Sequence, residues 1–391
     1  MKETVPARRI GNVQEYYFSV KLKEIAQMNA QGADVINLGI GSPDLPPARE
    51  VTDTLAAEAS DARAHGYQPY VGIPQLREAW ANWYRRWYGV QLDPANEVLP
   101  LMGSKEGIMH ISMAFVNEGD AVLVPNPGYP TYTSVSKLVG AEIINYNLCA
   151  GNGWQPDFDE LEERHSRGEI NLDAVKLMWC NYPNMPTGAN GSIELFEKIV
   201  AFGKKYGIVV CHDNPYSFIL NDNPVSIMEV EGAKEICIEL NSMSKSHNMP
   251  GWRLGVLVSN SRFVEWVLRV KSNMDSGMFR PVQMAAVKAL EAPKEWHLQM
   301  NSVYAARKAL AQEILESVGA QVAPGQTGLF LWGKVAGKGV DVCDRVLYDA
   351  KVFITPGFIF GSNGENYVRI SLCANEDTLR RALGRIKENV K

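Results

Sequence analysis

Short apolar runs alternate with helical stretches from about residue 75 to residue 275, and nothing else in this chain restricts its fold as much. The runs at 98–101, 121–124, 174–180, 208–212 and 236–240 have the length of buried strands. Residues 76–87 read as a helix rich in aromatics on one side, and 193–205 as another. Strands alternating with helices imply βαβ units, hence a mainly parallel sheet covered on both faces in three αβα layers. Ligands of such sheets bind at the carboxyl ends of the strands. The residues that follow each run are therefore the ones to search for chemistry.

The texture changes from about residue 285. Residues 294–318 read as one long helix, 329–332, 352–354 and 367–372 as strands, and 376–388 as a closing helix. This suggests a smaller α+β domain, with a soft boundary near 280–290. The chain is 46% hydrophobic and 21% charged, an ordinary globular composition. Its net charge of -5, with no Lys/Arg block, argues against a nucleic-acid partner. No apolar run is long enough to span a bilayer. The opening Met1-Lys2-Glu3-Thr4-Val5-Pro6 lacks the apolar core of a signal peptide. Six scattered cysteines (Cys149, Cys180, Cys211, Cys237, Cys343, Cys373) contain no Cys-x-x-Cys pair, which suits buried thiols in a reducing cytoplasm. The six histidines show no metal spacing, so no metal is expected.

The most suggestive segment follows the run at 236–240. It reads Ser242-Met243-Ser244-Lys245-Ser246-His247, then Gly251-Trp252-Arg253-Leu254-Gly255. The amine of Lys245 can form an imine with an aldehyde, while the hydroxyls and Arg253 can hold a phosphate beside it. An aldehyde that carries a phosphate is pyridoxal 5'-phosphate (PLP). Asp213, after the run at 208–212, is a carboxylate able to pair with a pyridine nitrogen and keep it protonated; Tyr216 can donate to the ring's phenolic oxygen. Gly103-Ser104-Lys105-Glu106-Gly107 follows the run at 98–101 and opens a helix, whose first N–H groups favour an anion. The phosphate is expected there, among Ser104, Lys105, Ser242, Ser244 and Arg253. Arg369 lies within the hydrophobic strand at 367–372 and suits a substrate carboxylate. Taken singly, several of these are ordinary features: a loop lysine, an Asp-Asn-Pro turn, a serine cap, a structural arginine.

Together and in this order the motifs resemble the class I/II aminotransferases, PLP enzymes of fold type I, from Gly39 to Arg369. The resemblance implies a large domain over 48–282 with a mainly parallel seven-stranded sheet, and a discontinuous small domain over 1–47 and 283–391. It implies that Lys245 is catalytic, that Tyr129 stacks on the pyridine ring, and that the backbone at Gly39 meets the substrate carboxylate held by Arg369. Tyr67 matches a tyrosine that reaches the phosphate of a neighbouring subunit, so a homodimer with shared sites is expected. The family's Asn-Pro-Thr-Gly is altered: Met185 precedes Pro186-Thr187-Gly188, and Asn184 is one residue early, where an extended chain points it elsewhere. The implied activity moves an amino group between an L-amino acid and a 2-oxo acid, in the branch of aspartate, alanine and LL-diaminopimelate aminotransferases. A C-S lyase or cyclase of the same fold is the nearest alternative. A PLP-binding regulator is further off, because the resemblance begins near residue 12 and leaves no room for a DNA-binding module. His212 is expected to pack beside the sheet, His247 to line the phosphate loop, and Tyr16-Tyr17-Phe18 to form a helix-packing patch rather than to cover the entrance.

Overall fold

The computed structural model describes residues 4–13, 15 and 17–390; the readings made of Met1 to Glu3 and of Tyr16 lie outside them. Among these residues the alternation becomes a seven-stranded sheet. Its strands are β1 (Val98–Leu101), β2 (Ala121–Asn126), β3 (Glu142–Asn147), β4 (Val175–Cys180), β5 (Val209–Asp213), β6 (Cys237–Ser242) and β7 (Gly255–Val258). They lie in the order β1-β7-β6-β5-β4-β2-β3. Pairings are parallel except where β7 meets β1 and β6.

The pattern that marked the strands follows from their burial. Every residue of β2, β5 and β6 is buried, so these strands are covered on both faces. Along β5, Val210 joins the core on one face and Val209 and Cys211 the core on the other. The helices Pro74–Tyr88 and Ile193–Tyr206 cover the first face, and Ser104–Phe115 and Ser261–Lys271 the second. Ser192 caps the helix Ile193–Tyr206, accepting from the Leu195 N–H at 3.2 Å, and Gly207 ends it at φ 65°. Two strands were missing from the sequence reading. β3 is the sheet's edge and largely open to water, so its apolar signal is weak. β7 has four residues and follows directly on the Gly-Trp-Arg-Leu motif.

The second body is antiparallel. β8 (Gln321–Val322), β9 (Phe330–Lys334), β10 (Thr355–Pro356) and β11 (Tyr367–Ser371) form a sheet ordered β10-β11-β9-β8. The helices Lys294–Ser317, Gly339–Ala350 and Glu376–Asn389 pack into the same core. The N-terminal segment joins this body: Ile36–Asn37 pairs in parallel with Val352–Phe353. Arg307, almost fully buried, then grips Asp44 through Nη1 at 2.6 Å and Nη2 at 3.0 Å. The stretch from Asn37 to Asp44 is thus stretched across the face that looks toward the large sheet.

One buried polar cluster braces the large sheet. Glu239 on β6 is fully buried and meets the Tyr84 hydroxyl at 2.7 Å, His212 Nδ1 at 2.9 Å, Ser226 Oγ at 2.8 Å and the Ile227 N–H at 3.1 Å. His212, expected beside the sheet, is therefore a structural partner within it. Five cysteines are buried, while Cys149, just beyond β3, is exposed. Near it Asn363 donates to Asn147 Oδ1 at 3.1 Å and to the Leu148 carbonyl at 3.3 Å, joining the two bodies. No helix among the described residues is long and apolar enough to cross a membrane.

Candidate active site

The strands deliver their carboxyl ends to one cavity of about 680 Å³. β1 leads through Gly103, whose φ of 85° favours glycine. A Cβ at Gly103 would stand 2.1 Å from Arg253 Nη2, so the backbone here must stay bare. The helix Ser104–Phe115 starts at once, and its first two residues, Ser104 and Lys105, line the cavity. Its Glu106 accepts from the Met102 N–H.

β6 ends at Ser242, whose hydroxyl accepts from the Ser244 N–H at 3.2 Å and starts the single turn that carries Lys245. Lys245 Nζ donates to the Gly41 carbonyl. Burial, helped by the Arg369 and Arg253 charges, holds the Lys245 ammonium below its usual pKa. Arg253 is steered back to this turn by the Pro250 carbonyl at 2.8 Å and Ser244 Oγ at 3.4 Å.

β5 ends at Asp213. Its Oδ2 accepts from the Tyr132 hydroxyl at 2.8 Å. Its Oδ1 is buried with no donor among the described residues. Burial pushes the Asp213 carboxyl up to about 6, against the pull of the Tyr132 hydrogen bond. Tyr216 also lines the cavity, and burial raises its phenol far above the ordinary value, with the Arg369 charge opposing. Tyr129 follows β2 and meets Tyr132 edge to face at 5.5 Å.

The opposite wall comes from the second body. Arg369 on β11 is almost fully buried. Its guanidinium lies 3.9 Å from the Phe330 ring centre and 4.6 Å from that of Phe360, with Phe18 at 5.7 Å. Nη2 donates to the Gly39 carbonyl at 2.7 Å, and Nη1 lies 3.1 Å from Met185 Sδ.

Ten residues singled out from the sequence thus line one cavity: Ser104, Lys105, Tyr129, Asp213, Tyr216, Ser242, Ser244, Lys245, Arg253 and Arg369. Others do not. Gly39 stands behind Arg369 and is absent from the lining; its N–H goes to Asn37 Oδ1 at 3.0 Å, and Ile40 and Gly41 face the cavity instead. Tyr67 is 93% exposed and outside the cavity of its own chain. His247 turns away from the loop: it contacts Ser246 Oγ at 2.8 Å, stacks on Trp296 and borders a separate cavity. Phe18 is buried in the second body's core and also lines the cavity, while Tyr17 packs edge to face on Phe358, as a packing patch would. Asn184 is spent on Thr187 Oγ1 at 2.7 Å, and Met185 lines the cavity.

Several contributors were not foreseen. Tyr132 lines the cavity one helical turn from Tyr129, beside the strand ends. Asn181, the residue after β4, lines the cavity, donates to the Asp213 carbonyl at 2.6 Å and accepts from the Met185 N–H at 2.7 Å. The strand-end rule alone would have found it. Phe330 and Phe360 carried no signal, because only the fold brings them to Arg369. The histidine spacing also missed His110, one turn from Glu106. These two and Asp275 bring potential ligand atoms within 4.8 Å of one another, but the Lys271 ammonium already donates to both Asp275 oxygens at 2.7 Å.

The donor set suits a phosphorylated pyridine aldehyde. The cavity offers an amine of lowered pKa, hydroxyls and a guanidinium at a helix start, and a buried carboxylate oxygen in want of a donor.

Comparison with known proteins agrees with this chemistry. The family described as aminotransferase class I and II matches residues 33–386. The chain is 42% identical over 387 residues to the LL-diaminopimelate aminotransferase of Desulforudis audaxviator, covering 98% of this chain and 97% of that one. The enzyme of the same name from Moorella thermoacetica is 40% identical over 385 residues, with 97% of each covered. Among solved structures, substrate-bound BacF from Bacillus subtilis superposes with a TM-score of 0.92 at 33% identity, covering 99% of this chain and 98% of that one.

Proposed function

The chain belongs to the class I and II aminotransferases, and from that premise we propose which of its residues carry the reaction. The protein is a PLP-dependent aminotransferase that moves an amino group between an L-amino acid and a 2-oxo acid. PLP supplies the carbon that exchanges amino groups and the ring that takes up the electrons of the broken Cα–H bond. The rest falls to the protein. Lys245 would tether the cofactor through its amine and would serve as the base that moves the proton at the substrate's α-carbon. Asp213 Oδ1 accepts from the ring nitrogen, and Tyr132 keeps that carboxylate oriented through Oδ2. Ser104, Lys105, Ser242, Ser244 and Arg253 hold the phosphate, Tyr129 covers the ring, and Tyr216 donates to its phenolic oxygen. Arg369 pairs with the α-carboxylate and so fixes which bond stands ready to break.

The observation that carries this reading is the convergence on one cavity of a buried amine, a carboxylate oxygen without a donor and a ring-sandwiched guanidinium. Matches over nearly the whole chain to aminotransferases favour transamination over the lyase or cyclase chemistry of the same fold. Residues 48–282 form the large domain, and 1–47 with 283–391 the small one. Two copies share their sites through Tyr67, in the cytoplasm. LL-diaminopimelate is the substrate named for the relatives, and kinship to that branch is part of the proposal. Lys245→Ala is expected to lower transamination about 1000-fold or more. An unchanged rate, or borohydride reduction of the holoenzyme that leaves no pyridoxyl group on Lys245, overturns the assignment.

A further inference from the structure

We propose that this site selects amino donors with apolar side chains, leucine, methionine and phenylalanine before diaminopimelate or the acidic amino acids. The inference rests on the roles assigned above to Lys245 and Arg369. It places the side chain of a substrate anchored on Arg369 on the small-body side of the cavity, where the walls are apolar. Phe330 and Phe360 enclose the guanidinium at 3.9 and 4.6 Å. Phe18 and Leu22, one helical turn apart on the helix Tyr17–Ala30, face the same cavity, as does Ile40. Leu22 is 39% exposed at this mouth, an apolar group left in water until another apolar group covers it. Ser19, between them, already gives its hydroxyl to Glu15 at 2.8 Å. Met185 adds a thioether where an amide would have offered a donor.

Charge points the same way. Diaminopimelate ends in a second ammonium and carboxylate, and burying either without a partner is costly. Among the described lining residues Asp213 is the one carboxylate, and it sits at the end of β5 against Tyr132. The cations Lys105, Lys245 and Arg253 stand on the sheet side, and Arg369 serves the α-carboxylate.

The half-reaction isolates donor choice from acceptor choice. An amino acid and the PLP-loaded enzyme give a 2-oxo acid and the pyridoxamine-phosphate enzyme: the donor surrenders its amino group and α-hydrogen, and water supplies the oxo oxygen. Single-turnover loss of the cofactor's imine absorbance is followed for leucine, methionine, phenylalanine, alanine, aspartate, glutamate and LL-diaminopimelate. Leucine is expected to exceed alanine at least about tenfold, and to exceed aspartate, glutamate and LL-diaminopimelate by more. If LL-diaminopimelate or an acidic donor reacts as fast as leucine, the proposal is overturned while the aminotransferase assignment stands. If no donor consumes the band, the residue roles fall and this proposal with them. Leu22→Lys, at an exposed position, is expected to slow leucine about tenfold and to speed glutamate; an unchanged donor ranking overturns the role given to this wall.

Discussion

The Asp213 carboxyl is the residue on which pH acts most directly. Its pKa is about 6 in the folded chain against an ordinary 3.8, because burial disfavours the charge. The folded chain therefore binds more protons than the unfolded one between these values, and this group's contribution to stability falls as pH rises from about 4 to about 6. At about 1.4 kcal/mol per unit the loss is at most about 3 kcal/mol. Urea unfolding of the cofactor-free protein and of Asp213→Asn across this range is expected to show the wild type losing ground to the variant. PLP is expected to reverse that trend by giving Oδ1 a donor. A constant gap between the two proteins counts against it. Asp213, Lys245 and Ser104 were legible because each directly follows a buried apolar run. The grouping of Phe330, Arg369 and Phe360 was not, since its members lie on two strands and a short 3-10 turn whose meeting depends on packing.

Elements decide whether the site keeps its shape. The start of the helix Ser104–Phe115 is usable only while Gly103 has no side chain, for a methyl there would strike Arg253 and sit at an unfavourable φ. Gly103→Ala is expected to weaken PLP binding at least about tenfold, the effect of about 1.4 kcal/mol; equilibrium dialysis measures it, and retained affinity contradicts it. β6 depends on Glu239 in another way. Glu239→Ala strands Tyr84, His212 and Ser226 inside the sheet. The expected cost is about 3–5 kcal/mol, read as a lower urea midpoint. The inner strands announced themselves because water touches neither face. The edge strand β3 did not, as its outward residues are free to be polar. The turn of Lys245 and the helix of Ser104 were legible as motifs, but their common focus came only with the sheet order, which sets β1 two strands from β6.

For the whole molecule, the proposed sharing of sites between two copies turns on Tyr67. Tyr67 is almost wholly in water, an unusual position for a tyrosine with no role on its own subunit. Sedimentation is expected to give twice the chain mass, and Tyr67→Phe to lower PLP affinity without dissociating the pair. A monomeric, fully loaded enzyme excludes the shared site. The two-body plan was legible as a change of texture near residue 285, whereas the return of residues 36–44 to the second body was legible only through the family resemblance, because two paired residues leave too short a pattern of their own. The lone exposed thiol has a practical corollary. Maleimide dyes react with accessible sulfur, so Cys149 offers a single labelling handle on the native enzyme without mutagenesis. It neighbours the junction of Asn363 with Asn147 and Leu148, and a fluorophore there would sense any hinge movement between the bodies during turnover.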